Sequence, residues 1–98
     1  MRLTAEEITA IKAAAAQVFG PDAIVRLFGS RIRDDLKGGD IDLHVEVLPG
    51  QQDYRHIGDF KWELFRHIEE QKVDLVPFVR GRKPRAIDEI AFGEGIIL

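Results

Sequence analysis

The sequence predicts a small α/β domain of the α+β kind, in which a mixed sheet of three or four strands is flanked by helices. Three observations carry this expectation: apolar residues recur at helical spacing in two long stretches, residues 40–47 alternate strictly between apolar and polar, and two further β-rich runs lie between helical segments. A length of 98 residues suits one compact domain spanning 1–98 and is too short for two. The balance of 45% hydrophobic and 32% charged residues is that of an ordinary soluble protein.

Taken in order, Thr4 and Glu7 are spaced as a capping box, where a hydroxyl and a carboxylate three residues apart satisfy helix N–H donors reciprocally. Ile8, Ile11, Ala15 and Val18 follow at helical spacing and Gly20-Pro21 terminates them, which predicts a first helix over 5–19. Residues 23–28 form a short β-rich run that ends at Gly29-Ser30. Ser30 to Leu36 is expected as a short helix capped by Ser30, with Lys37-Gly38-Gly39 as a turn. In the strand over 40–47, Ile41, Leu43, Val45 and Val47 share one face, and Asp40, Asp42, His44 and Glu46 the other. Ile57, Phe60, Leu64 and Ile68 predict a second long amphipathic helix over 53–70. Residues 72–78 read as a third strand, which Pro77 pushes toward an end or edge of the sheet. The basic loop Arg80-Gly-Arg-Lys-Pro-Arg85, a short helix near 85–92 and a tail over 93–98 complete the chain.

Composition narrows the chemistry. Fourteen basic against 17 acidic residues give a net charge of −3, which argues against a protein whose main task is to coat nucleic acid. The absence of cysteine excludes a disulfide framework, a thiolate zinc site and a cysteine nucleophile, so any metal must be held by oxygen or imidazole. No apolar run approaches the roughly 18 to 20 residues that a membrane span needs, and the N-terminus lacks the layout of a signal peptide. A cytoplasmic protein without a membrane partner is expected.

Asp40 and Asp42 stand two apart on a strand, so their carboxylates point to one side. Two adjacent carboxylates repel unless something positive sits between them, and magnesium suits such hard oxygen donors. The alternative is a solvated face of an edge strand. Gly29-Ser30, at a strand-to-helix turn, offers backbone N–H groups and a hydroxyl to an anion. Nine residues separate Ser30 from Asp40, enough for two strands to lie side by side with this turn beside the carboxylates. Arg31 and Arg33 either reach phosphate oxygens from the short helix or serve as exposed solubilising charges.

The run Leu27-Phe-Gly-Ser-Arg-Ile-Arg-Asp-Asp-Leu-Lys-Gly-Gly-Asp-Ile-Asp-Leu resembles the signature of the polymerase-beta-like nucleotidyltransferases. Lys72-Val-Asp74-Leu-Val resembles that family's later strand with its third carboxylate, and in so short a chain the likeness is to the minimal nucleotidyltransferase group. The resemblance implies the nucleotidyltransferase fold, with Asp40, Asp42 and Asp74 holding Mg2+ and Gly29 and Ser30 gripping the outer phosphates of ATP. Asp74 would also help deprotonate an acceptor hydroxyl, which attacks the α-phosphate and expels pyrophosphate. It further implies an antitoxin that pairs with a helical HEPN-domain toxin and adenylylates it. Two other readings stand beside this one: an antitoxin that neutralises its partner by contact alone, and a transferase acting on a small molecule.

Departures from the family pattern are the short spacer, Gly38-Gly39 where a serine-containing segment is common, and His44 where an apolar residue is common. His44 either touches a phosphate or the acceptor, or is a partly exposed structural histidine, and Glu46 is expected as a solvated edge residue. The loop from Arg80 to Arg85 binds phosphate, RNA or an acidic partner, or merely solubilises, although direct nucleic-acid binding is not expected of the chain. Tyr54, Phe60, Trp62 and Phe65 exceed what one buried stripe needs, and Trp62 falls away from the core face, as a partner surface or a neighbouring helix would require. With 98 residues devoted to one such domain, the acceptor-binding half is expected on another protein.

Overall fold

A computed structural model describes residues 1–33, 35 and 39–98. Its architecture is α+β: three helices and one four-stranded mixed sheet of order β3-β2-β1-β4. Helix α1 (Ala5–Phe19) starts where the capping box puts it. The Glu7 amide donates to Thr4 Oγ1 at 3.0 Å and the Thr4 amide to Glu7 Oε1 at 2.9 Å. Strand β1 (Ile24–Phe28) leads into one turn of 3-10 helix (Gly29–Ile32), and β2 (Ile41–Val47) returns antiparallel to β1. Helix α2 (Tyr54–Phe65) crosses over to β3 (Val73–Val79), which pairs parallel with β2, as a β-α-β connection requires. Helix α3 (Ala86–Glu94) precedes β4 (Ile96–Ile97), which pairs antiparallel with β1 at the opposite edge.

Four expectations shift. Where a helix is expected over Ser30–Leu36, the described residues show one 3-10 turn that starts at Gly29, with no capping side chain among them; Asp34 and Leu36–Gly38 lie outside the described residues. The second helix stops at Phe65, not near 70. Its end tightens to three-residue hydrogen bonds, Arg66 to Glu63 at 3.3 Å and His67 to Leu64 at 3.1 Å, and Ile68 then packs against the core. No glycine or proline announces that stop. The tail is not merely a tail, because Ile96 and Ile97 extend the sheet, a pairing too short to leave a periodic signal. His44 is completely buried, whereas a partly exposed position was expected.

The alternation of β2 decides the layers. Ile41, Leu43, Val45 and Val47 face α1 and α2, joining Ile11, Ala14, Ala15, Phe60 and Leu64 in the main core. On the other face α3 covers only part of the sheet. Its Asp88, Ala91 and Phe92 lie over Arg26, His44 and Phe78; the His44 ring stacks on Phe78 at 5.9 Å and meets Phe92 edge-on at 5.2 Å. Arg26 rests over the Phe92 ring at 4.9 Å and pairs with Glu46, so Glu46 is an ion-pair partner under the helix rather than a solvated edge. Asp88 fixes the helix to the sheet. Its Oδ1 is 2.8 Å from His44 Nε2, and Oδ2 accepts from the Arg85 amide at 2.8 Å and from Arg85 Nε at 2.9 Å. No described helix is long and apolar enough to cross a membrane.

Candidate functional site

The end of this face that α3 leaves open is where β1 finishes and the parallel pair β2 and β3 begins. Register places Phe28 opposite Asp42 and Asp42 opposite Asp74, so two of the expected carboxylates are cross-strand neighbours on the open face. Asp40 directly precedes β2. Asp42 is half-buried and Asp74 exposed. Burial, followed by the like charges of Asp74 and Asp40, pushes the Asp42 carboxyl above its ordinary value, while the Lys72 ammonium pulls it down.

The Gly-Ser turn is built onto this end by two close approaches. Gly29 has φ +75°, and a Cβ there would lie 2.3 Å from Asp42 Oδ2. Gly39 has φ +85°, and its Cβ would lie 2.5 Å from Ser30 Oγ. Both glycines are therefore needed for backbone conformation and for space. Gly29→Ala should displace the Asp42 carboxylate, besides costing about 1–2 kcal/mol for a left-handed non-glycine residue. A lower melting temperature is the expected result, checked by thermal denaturation.

Arg31 and Arg33, expected either at phosphate or as exposed solubilising charges, are both engaged with protein groups. Arg31 donates to the Arg2 carbonyl at 2.9 Å and to the Gly39 carbonyl at 3.3 Å, and Arg33 pairs with Asp35 at 2.7 Å on the surface. Arg31 thus ties the N-terminal segment to the loop before Asp40, and reaching a phosphate would require giving up those bonds. Arg2 reciprocates, donating to the Ser30 carbonyl at 3.0 Å and the Arg33 carbonyl at 2.7 Å. No pattern in the sequence marks Arg2 for this clamp.

Lys72 is the other residue that the motif reading passes over. Its Nζ lies 3.2 Å from Asp40 Oδ2, and Asp40 first, then Asp74 and Asp42, hold its ammonium above the ordinary value. A signal existed: Lys72 stands two residues before Asp74, hence on the same face of the strand. Among the described residues no three acidic or imidazole side chains converge closely enough to hold an ion.

The basic loop is partly structural. Arg80 pairs with Glu46 at 3.6 Å and also donates to the Asp22 carbonyl, and Arg85 serves Asp88 and the Pro77 carbonyl. Arg82 and Lys83 line a concavity of about 270 Å3 with Gln52, Pro77 and Phe78. Two concavities of about 450 Å3 each lie on the helical layer, away from the carboxylates; Trp62, 72% exposed, lines one of them. Tyr54 is also exposed, whereas Phe60 is buried and Phe65 packs against the core. Compared with protein-family models and with curated proteins, the chain matches none.

Proposed function

We propose that the chain is a minimal nucleotidyltransferase of the polymerase-beta-like kind, which transfers AMP from ATP to a hydroxyl of a partner protein and acts in the cytoplasm as the antitoxin of a HEPN-domain toxin. One observation carries the reading: the Gly29-Ser30 turn and the carboxylates of Asp40, Asp42 and Asp74 occupy one open end of the sheet, packed so closely that a side chain at position 29 would have to displace the Asp42 carboxylate. The sequence resemblance supplies the name of the chemistry.

The donor set fits Mg2+ in kind. Three carboxylates supply hard oxygen, and a bound cation would offset the burial and the like charges of Asp74 and Asp40 that together disfavour ionised Asp42. Asp40, Asp42 and Asp74 would hold the ion, with Asp40 released from Lys72. When bound, magnesium neutralises triphosphate charge and makes the acceptor hydroxyl easier to deprotonate. The remaining work falls to the chain itself. Gly29 and Ser30 offer a backbone N–H and a hydroxyl to phosphate oxygens, and Phe28, buried opposite Asp42, keeps the floor of the site apolar. Asp74 is exposed on the edge strand, open to a hydroxyl carried by another protein, whose proton it can accept. α3 closes the other half of the face, so the acceptor enters from the open end.

Incubation with Mg2+, ATP labelled at the α-phosphate and a HEPN-domain partner should place label, and the mass of one AMP, on the partner. Absence of transfer with an intact partner would overturn the reading. Contact-only neutralisation predicts instead that the Asp40→Asn, Asp42→Asn double variant still protects cells, and small-molecule transfer predicts label on a low-mass acceptor.

A further inference from the structure

Lys72 and Asp40 immediately precede the first paired residues of the parallel ladder, Val73 and Ile41, and the Ile41 amide donates to the Lys72 carbonyl at 3.1 Å. The register therefore sets the two residues side by side at the start of the ladder, within reach of each other. The Lys72 side chain stays 70% exposed, and an exposed pair of this kind is weak enough to exchange partners. The charges count clearly: three carboxylates and one ammonium leave two negative charges, which one divalent cation balances. Yet while Lys72 holds Asp40, the carboxylates do not converge as a three-ligand group among the described residues.

We infer that Lys72 is a tethered counter-cation that holds Asp40 away from a divalent ion in the resting protein and, when a nucleoside triphosphate arrives, exchanges Asp40 for a phosphate. The inference rests on the nucleotidyltransferase reading and deepens it. Without nucleotide, a divalent ion must displace the ammonium from Asp40 while that ammonium has only water to turn to. With a triphosphate present, Lys72 gains a polyanionic partner and Asp40 becomes available to the ion. Metal and nucleotide thereby favour each other's binding, and such coupling is reciprocal. Lys72 is a positioning residue in this scheme, with its influence on the metal exerted through Asp40.

The test uses the full chain and two probes: Mn2+ alone, followed by paramagnetic resonance of the free ion, and the preformed Mn2+ complex of a non-hydrolysable ATP analogue, followed by calorimetry. Lys72→Gln should bind bare Mn2+ about five- to tenfold more tightly, as expected from removing one positive charge a few ångströms away in a largely aqueous setting. The same variant should bind the Mn2+–analogue complex several-fold more weakly, and Lys72→Arg should stay near wild type in both. A loss of structure would move both affinities in one direction, so the opposed signs are diagnostic. If Asp42→Asn abolishes Mn2+ binding but Lys72→Gln leaves bare Mn2+ affinity unchanged or weaker, or fails to weaken the complex, the role of Lys72 is refuted and the nucleotidyltransferase reading stands. If wild type and Asp42→Asn bind Mn2+ and the complex alike, or neither binds, that reading falls and this inference with it.

Discussion

Asp42→Asn is expected to abolish the proposed nucleotidyl transfer and, at the same time, to raise the melting temperature of the free protein by a few degrees. Asparagine keeps the shape of the side chain that fills the space against Gly29, so packing survives. It removes the charge that burial, Asp74 and Asp40 all disfavour. A carboxyl whose folded pKa lies above its unfolded value binds its proton more tightly in the folded state, so its ionised form at neutral pH works against folding. Neutralising it relieves that opposition. In a domain of this size 1 kcal/mol corresponds to roughly 4–8 °C. On activity the sign reverses: a neutral amide is a poor ligand for a hard divalent ion, and a loss of about a thousandfold or more is expected for a group that stabilises developing charge. Calorimetry and the labelled-ATP assay on the same preparation check both halves. A variant that is less stable, or that keeps full transfer, would contradict the assignment of Asp42.

Asp88→Ala should be the most destabilising single substitution outside the main core, at about 3 kcal/mol, the low end of what breaking a buried pair costs. The low end applies because Arg85 is half-exposed and can turn to water, whereas His44 and Asp88 are fully buried. Among the described residues His44 Nδ1 has no partner, so loss of Asp88 would leave both ring nitrogens of a buried imidazole unsatisfied there. Of a total stability of about 5–15 kcal/mol this is a large share, and α3 should lose its seat on the sheet. Asp88→Asn, which keeps an acceptor for the Arg85 amide, should cost clearly less.

The same pair of variants gives a pH dependence of known sign. Burial raises the Asp88 carboxyl, but the bonds from the Arg85 side chain and amide and from His44 outweigh it and bring its pKa from 3.8 down to about 2. A depressed folded pKa contributes stability that is present above the unfolded value and lost as pH falls through the folded one. The contribution of the Asp88 charge should therefore be present above about pH 4 and lost toward pH 2, narrowing the stability gap between wild type and Asp88→Asn over that range. Urea midpoints at several pH values measure this directly.

The sequence by itself determined whatever local periodicity and turn chemistry encode. Thr4 and Glu7 start α1 and Gly20 ends it, the alternation over Ile41–Val47 sorts core from open face, and Gly29-Ser30 with Asp40, Asp42 and Asp74 is legible because each signal lies within a few residues of chain. Tertiary structure alone decided the rest, since the partners are remote in sequence. His44 reads as a polar residue on a polar face and becomes buried only because Asp88, 44 residues away, arrives on α3 to bond it. Arg2 clamps the Ser30 carbonyl from 28 residues away, and Ile96-Ile97 is a strand only because β1 has an edge to pair. Lys72 meets Asp40 because the crossover through α2 brings β3 alongside β2 in a register that the sequence order leaves open. Local patterns report what a segment prefers; which charge finds which counter-charge follows from how the layers close.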